Sequence, residues 1–319
     1  MYFELESTPV AKRAFNKKTD SEFQWSKNIP WDVFGIDASD GIDFQEILNL
    51  QNALGVIHDG LLGATTLREV QLYLSRENLI WNPLTGQTYN FEPNDNVQYL
   101  IWKGLSLPIL DVDAEIVPFS VSDGIDLHST GNFSKRDRTI NSVIVHWGGL
   151  NPQHLARVFR NRKASSHIGI GRSEHTGTVS IYQYIDLAHI TWHAKGANDT
   201  SIGIDICQQP ELKHLGYYVK NGYDVQTVNN PAFPTYGPAK IISLDPEIRV
   251  ATAQLLESLI RSVGIKDDIA TTEDGLVPAE RFESGGVYSH FHVDTKGQGK
   301  WDVAPWWDAI RSEMSTSHS

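Results

Sequence analysis

The sequence predicts an α/β protein, a sheet with helices on its faces, preceded by a small α-helical N-terminal domain. Three observations carry this prediction. The chain has 319 residues, and at roughly 100–200 residues per domain that length suggests two domains. From about Ser134 onward, short β-branched apolar runs alternate with amphipathic stretches, the pattern of strands covered by helices. Between Asp43 and Leu74 the apolar spacing is helical on both sides of a glycine-bearing turn. The boundaries read as an arm over 1–35, a helical domain with its connector over 36–133, and a second domain over 134–319.

The arm is polar, with Lys12, Arg13, Lys17 and Lys18 set among few periodic apolar positions. Phe44, Ile47, Leu48 and Leu54 then fall near helical spacing, with Asp43 able to cap the start and Gly55 the end. After a turn at Asp59-Gly60 and Gly63, Thr66 and Glu69 stand at capping-box spacing ahead of Leu67, Val70 and Leu74. Residues 80–138 are broken by Asn82-Pro83, Pro93-Asn94, Pro108 and Pro118, and Trp81 and Trp102 read as anchors.

In the second domain, Ser142–Val145 reads as a buried strand. Asn151-Pro152 starts a helix with Leu155 and Phe159 one turn apart. Strand-like segments follow at 166–170, 179–185 and 201–207. Asp245-Pro246 opens a long helix lined by Ile248, Ala251, Leu255 and Leu259, and Gly264 closes it. A further strand ends near His290, and a last helix runs from Pro305 to about Glu313.

Composition narrows the function. Apolar residues make up 40% and charged residues 21%, as in a folded protein. The net charge of −12 argues against a nucleic-acid partner. No stretch approaches the roughly 18 apolar residues of a membrane span, and Met1–Lys18 lacks the apolar core of an export signal. The expectation is a protein made in the cytoplasm. Cys207 is the one cysteine, which excludes an internal disulfide and a cysteine-rich zinc site. Neither a Gly-x-Ser-x-Gly elbow nor a phosphate-binding Gly-x-x-x-x-Gly-Lys loop is present.

The chemistry-bearing candidates lie far apart. His146 directly follows the apolar strand in "VIVHWGG", a position that also suits a hydrogen-bonded structural histidine. Downstream, "SHFHVDTKGQGKWDVAPWW" holds His290, His292, Asp294 and Asp302 within 13 residues. Two histidines and a carboxylate, leaving one position for water, are a common shell for catalytic zinc.

Two resemblances follow from these motifs. The stretch "ILNLQNALGVIHDGLLGATTLREVQLYL" resembles the small peptidoglycan-binding module found beside many wall hydrolases, through Leu50-Gln51, Asp59-Gly60 and Gly63-Ala64-Thr65-Thr66. A helical hairpin serving only as a packing cap is the alternative. The region from about Ser134 to Met314 resembles the zinc-dependent N-acetylmuramoyl-L-alanine amidase family. The matching motifs, in order, are "VIVHWGG", "SSHIGIG" with His167, "TWHAKG" with His193, "SIGIDI" with Asp205, and "KWDVAP" with Lys300 and Asp302.

That resemblance implies a central mixed β-sheet flanked by helices, a zinc cofactor and peptidoglycan as the partner. It implies His146 and Asp302 as metal ligands, together with His290 or His292. "HFHV" places His290 as ligand, whereas counting back from Asp302 by the spacing of the recycling amidases selects His292. His290 is preferred because it follows a small residue at the strand end. Asp205 takes the place of a catalytic glutamate, one methylene shorter. Lys300 would stabilise the oxyanion. His193 and His167 would bind substrate or support the site, and Asp294 would face solvent. The tyrosines of the insertion-like segment 208–242, Tyr217, Tyr218, Tyr223 and Tyr236, either line a groove for sugars and stem peptides or bury their own rings. The expected context is a phage-type lytic enzyme, with a non-catalytic wall-binding protein or a particle component as alternatives. The sequence sets no oligomeric state.

Overall fold

The computed structural model describes residues 16, 25–37, 42, 44–90, 97–119, 125–293 and 301–316. The chain divides into two units, Met1–Asp95 with Trp102–Pro108, and Asn96–Ile101 with Ile109–Ser319.

The smaller unit contains the two expected helices, α1 (Phe44–Leu54) and α2 (Ala64–Arg76). Ile47 and Leu50 of α1 and Leu67, Val70 and Leu74 of α2 are buried, so the apolar spacing does mark the inward faces. The Gln51 amide fastens the intervening turn: its Nε2 donates to Asp59 Oδ1 (2.7 Å) and its Oε1 accepts from the Gly60 amide (2.8 Å). The expected cap at Thr66 is not formed. Gly63 occupies the N-cap of α2 without a side-chain bond, and the Thr66 hydroxyl donates to the Leu61 carbonyl (3.0 Å) instead. The helix begins two residues before Thr66, which places that hydroxyl inside the first turn. Asp43 lies outside the described residues. The unit also contains a hairpin that the sequence reading missed, β1 (Leu79–Trp81) paired antiparallel with β2 (Thr88–Asn90). The division between the units passes through β3 (Val97–Trp102) and β4 (Leu105–Leu110).

The larger unit starts upstream of Ser134, the expected domain start. β5 (Glu115–Pro118), which the sequence reading assigned to the connector, joins the main sheet. β6 (Phe133–Lys135) precedes β7 (Ser142–Trp147), then α3 (Pro152–Arg160), β8 (Ile168–Arg172), β9 (Val179–Gln183), β10 (His189–Thr191) and β11 (Ser201–Ile206). The segment that read as an insertion forms α4 (Leu215–Lys220), β12 (Thr227–Asn229) and β13 (Lys240–Ile242). α5 (Pro246–Val263), α6 (Ala279–Glu283), β14 (Gly286–Ser289), α7 (His290–Val293) and α8 (Ala304–Thr316) complete the chain.

The six-stranded sheet has the order β14-β7-β11-β8-β9-β5. β14, β7, β11 and β8 run parallel, β9 is antiparallel to β8, and β5 is parallel to β9. The sheet is therefore mixed, as expected. Val143, Ile144 and Val145 are all fully buried, because a central parallel strand is covered on both faces. Both helix-start signals hold. Asn151 caps α3 by accepting from the His154 amide (2.6 Å), and the Asp245 side chain accepts from the Glu247 and Ile248 amides of α5. Among the described residues, no helix is long and apolar enough to cross a membrane.

Candidate metal centre

Strand alternation sets the site. Successive side chains point to opposite faces, so Ile144 and His146 of β7 share one face while Val143 and Val145 share the other. Parallel pairing puts Asp205 of β11 directly beside His146, on that same face. His290 begins α7 immediately after β14, the neighbour of β7 on its other side. Asp302 enters from the chain just before α8.

The Nδ1 atoms of His146 and His290 lie 3.0 Å apart. Asp302 Oδ2 is 2.9 Å from His290 Nδ1 and 3.6 Å from His146 Nδ1. Three electron-pair donors converge on one point, an arrangement that calls for a proton or a cation among them. Tetrahedral zinc with bonds of roughly 2.0–2.2 Å sets its donors about 3.3–3.6 Å apart. Two imidazoles and a carboxylate at 2.9–3.6 Å fit that ion in both chemistry and spacing. His146 and His290 are 5% and 6% exposed, so the pair is shielded from competing water. Burial works against the charged form of Asp302, but the neighbouring imidazoles of His146 and His290 prevail and hold its carboxyl well below the usual range. The Ser289 hydroxyl donates to the Asp302 carbonyl (2.5 Å) and ties the two ligand-bearing segments together.

The structure brings His290, not His292, to the cluster. His292 is fully buried, its Nδ1 accepting from the Ser289 amide (2.9 Å) and its Nε2 donating to the Thr271 carbonyl (2.9 Å). Burial pushes its pKa down to about 4. Lys300 and Asp294 lie outside the described residues.

Asp205 is 6% exposed. Burial raises its carboxyl to about 7, the nearby Ser166 hydroxyl lowers it in part, and the Asp302 charge raises it further. Gly148 makes room for it, since a Cβ there would lie 2.6 Å from Asp205 Oδ1.

His167 and His193 are both engaged by groups of the protein. His167 is fully buried. Its Nδ1 faces the Gly203 amide and the Thr191 hydroxyl (both 2.9 Å), and its Nε2 bonds the His189 carbonyl (3.0 Å). It joins β8, β10 and β11, and burial and the Arg136 charge push its pKa down to about 3. His193 Nδ1 lies 3.0 Å from His146 Nε2, and its Nε2 lies 3.2 Å from Ser201 Oγ. Both ring nitrogens of each histidine thus meet partners inside the protein. The "TWHAKG" and "SIGIDI" motifs marked the right segments, but no spacing signal identified Ser201 as the partner of His193.

The 208–242 segment braces the site. Tyr218 and Tyr223 are buried, so these two take the ring-burying role, and the Tyr217 hydroxyl accepts from the Asn151 amide group (2.8 Å). Tyr236 packs on Phe291, the residue after His290, at a centroid distance of 4.9 Å. Gly237, at φ +78°, lies against the ring of Trp301, the residue before Asp302. A cavity of about 540 Å³ lined by residues including Leu276, Phe282 and Val293 has none of the three converging residues in its wall.

The family model described as N-acetylmuramoyl-L-alanine amidase matches residues 123–305, more than half of the chain. The chain belongs to the N-acetylmuramoyl-L-alanine amidase family. Comparison with curated proteins finds no match. Among solved structures, a mutant endolysin from Bacillus subtilis is 15% identical, with 63% of this chain and 99% of that chain covered and a TM-score of 0.38. The endolysin amidase LysCS from Clostridium intestinale is 14% identical, with 63% and 95% covered and a TM-score of 0.37. The Staphylococcus aureus hydrolase AmiA in complex with its ligand is 12% identical, with 66% and 87% covered and a TM-score of 0.34.

Proposed function

We propose that this amidase-family member is a zinc-dependent enzyme that hydrolyses the amide bond between N-acetylmuramic acid and L-alanine in peptidoglycan. The observation that carries this reading is the convergence of His146 Nδ1, His290 Nδ1 and Asp302 Oδ2 within a family of wall amidases. These three residues would hold zinc, which when bound supplies a Lewis acid at the scissile carbonyl and hydroxide at neutral pH. Asp205, with a carboxyl near 7, is suited to take a proton from the attacking water and return it to the leaving amine. Lys300 would oppose the negative charge that develops on the carbonyl oxygen.

The smaller unit would hold the enzyme on the wall polymer, raising the local substrate concentration. A lytic enzyme of the phage type, acting on the wall after release or as part of a particle, is the context this combination favours. Digestion of purified peptidoglycan with mass analysis of the products tests the reading. New L-alanine amino termini that vanish with a chelator and return with zinc support it. Release of reducing sugars in their place overturns it.

A further inference from the structure

Behind His146 runs a chain of hydrogen bonds whose direction is fixed by its last member. The Ser201 hydroxyl donates to the Ala197 carbonyl (2.6 Å). A carbonyl only accepts and a hydroxyl has one proton to give, so toward His193 Nε2, at 3.2 Å, Ser201 Oγ acts as acceptor. His193 therefore carries its proton on Nε2 and presents a bare Nδ1 to His146 Nε2, 3.0 Å away. His146 in turn carries its proton on Nε2, which leaves the Nδ1 lone pair directed at His290 and Asp302.

We infer that His193 is a positioning residue that, through Ser201 and the Ala197 carbonyl, locks His146 in the tautomer able to ligate a cation through Nδ1. Two features built around the ring support the assignment. Asn198 Oδ1 accepts from the amides of His193 (3.1 Å) and Ala194 (2.6 Å), fixing the turn that carries the ring. Gly203 leaves the space the ring occupies, since a Cβ there would lie 2.6 Å from His193 Cγ. The rings of His146 and His193 meet edge-on at 88°, so the hydrogen bond sets both the tautomer and the plane of His146. Partners of this kind are typically worth about 10–100-fold in metal affinity.

The inference rests on the zinc reading, and the experiment separates the two. Nitrogen-15 NMR of the wild-type protein reads the tautomers directly. His193 is expected to be protonated at Nε2 alone, with a scalar coupling across the hydrogen bond between His146 Nε2 and His193 Nδ1. A proton on His193 Nδ1 overturns the inference. Zinc affinity, measured by competition with a chromogenic chelator, is the second readout. His193→Phe keeps a planar ring without an acceptor and is expected to weaken zinc binding about 10–100-fold. His193→Asn, whose amide oxygen can accept from His146, is expected to recover most of that loss. A folded H193F protein with wild-type zinc affinity contradicts the inference. If the wild-type protein takes up no zinc, the zinc reading fails, and the tautomers still decide the direction of the hydrogen-bond chain.

Discussion

Asp205 gives the metal-free protein a pH-dependent stability whose size follows from its surroundings. Its carboxyl ionises at 3.8 in an ordinary setting and at about 7 in the folded chain, with burial as the largest cause. Between those values the folded state retains a proton that the unfolded state has released. Stability therefore falls as pH rises from about 4 to 7, by ~1.4 kcal/mol per pH unit and about 4 kcal/mol at most. Other groups also titrate across this range. His167, His193 and His292 have lowered pKa values, which makes stability fall as pH drops below their unfolded value, the opposite slope. The difference between wild type and Asp205→Asn isolates the carboxyl. Urea denaturation with chelator present, at pH 5 and pH 8, supplies the measurement. The wild type should lose stability relative to D205N on going to pH 8, by a few kcal/mol. Parallel behaviour of the two proteins across that range would refute the claim that Asp205 is buried and partly protonated near neutrality.

Three further outcomes follow from the same geometry. Asp302→Ala should weaken zinc binding by more than the ~100-fold typical of losing an outer partner, read by chelator competition, and abolish amidase activity. His167→Ala should lower the unfolding free energy by about 1–3 kcal/mol through the donors and acceptors it leaves unpaired, while KM for peptidoglycan fragments stays unchanged in the folded protein. Leu67→Ala, at a fully buried position in the smaller unit, should cost that unit about 2–5 kcal/mol in denaturation. Binding to insoluble wall should weaken with it, while cleavage of soluble fragments persists.

The sequence made some features of this protein legible and hid others for identifiable reasons. The buried strand that carries His146 stood out because both of its faces are covered, which forces an uninterrupted apolar run. The caps at Asn151 and Asp245 were visible because proline at the first helical position restricts what can precede it. Strands of three residues, Leu79–Trp81 and Thr88–Asn90, are too short to show alternation and passed unnoticed. Capping-box spacing at Thr66 misled because it cannot show where the backbone first turns helical. The choice between His290 and His292 was not decidable by counting. The pair sits on a single helical turn, where residues two apart point to nearly opposite sides, so one meets Asp302 and the other Thr271. The direction of the His193–Ser201 chain was hidden for a different reason, since it depends on a carbonyl, and every residue has one.

Zinc-edge anomalous diffraction from crystals soaked in zinc tests the central claim most directly. The account predicts one strong peak within roughly 2.0–2.2 Å of His146 Nδ1, His290 Nδ1 and Asp302 Oδ2 together. A peak bound by His292, or no peak between β7 and the start of α8, would contradict it.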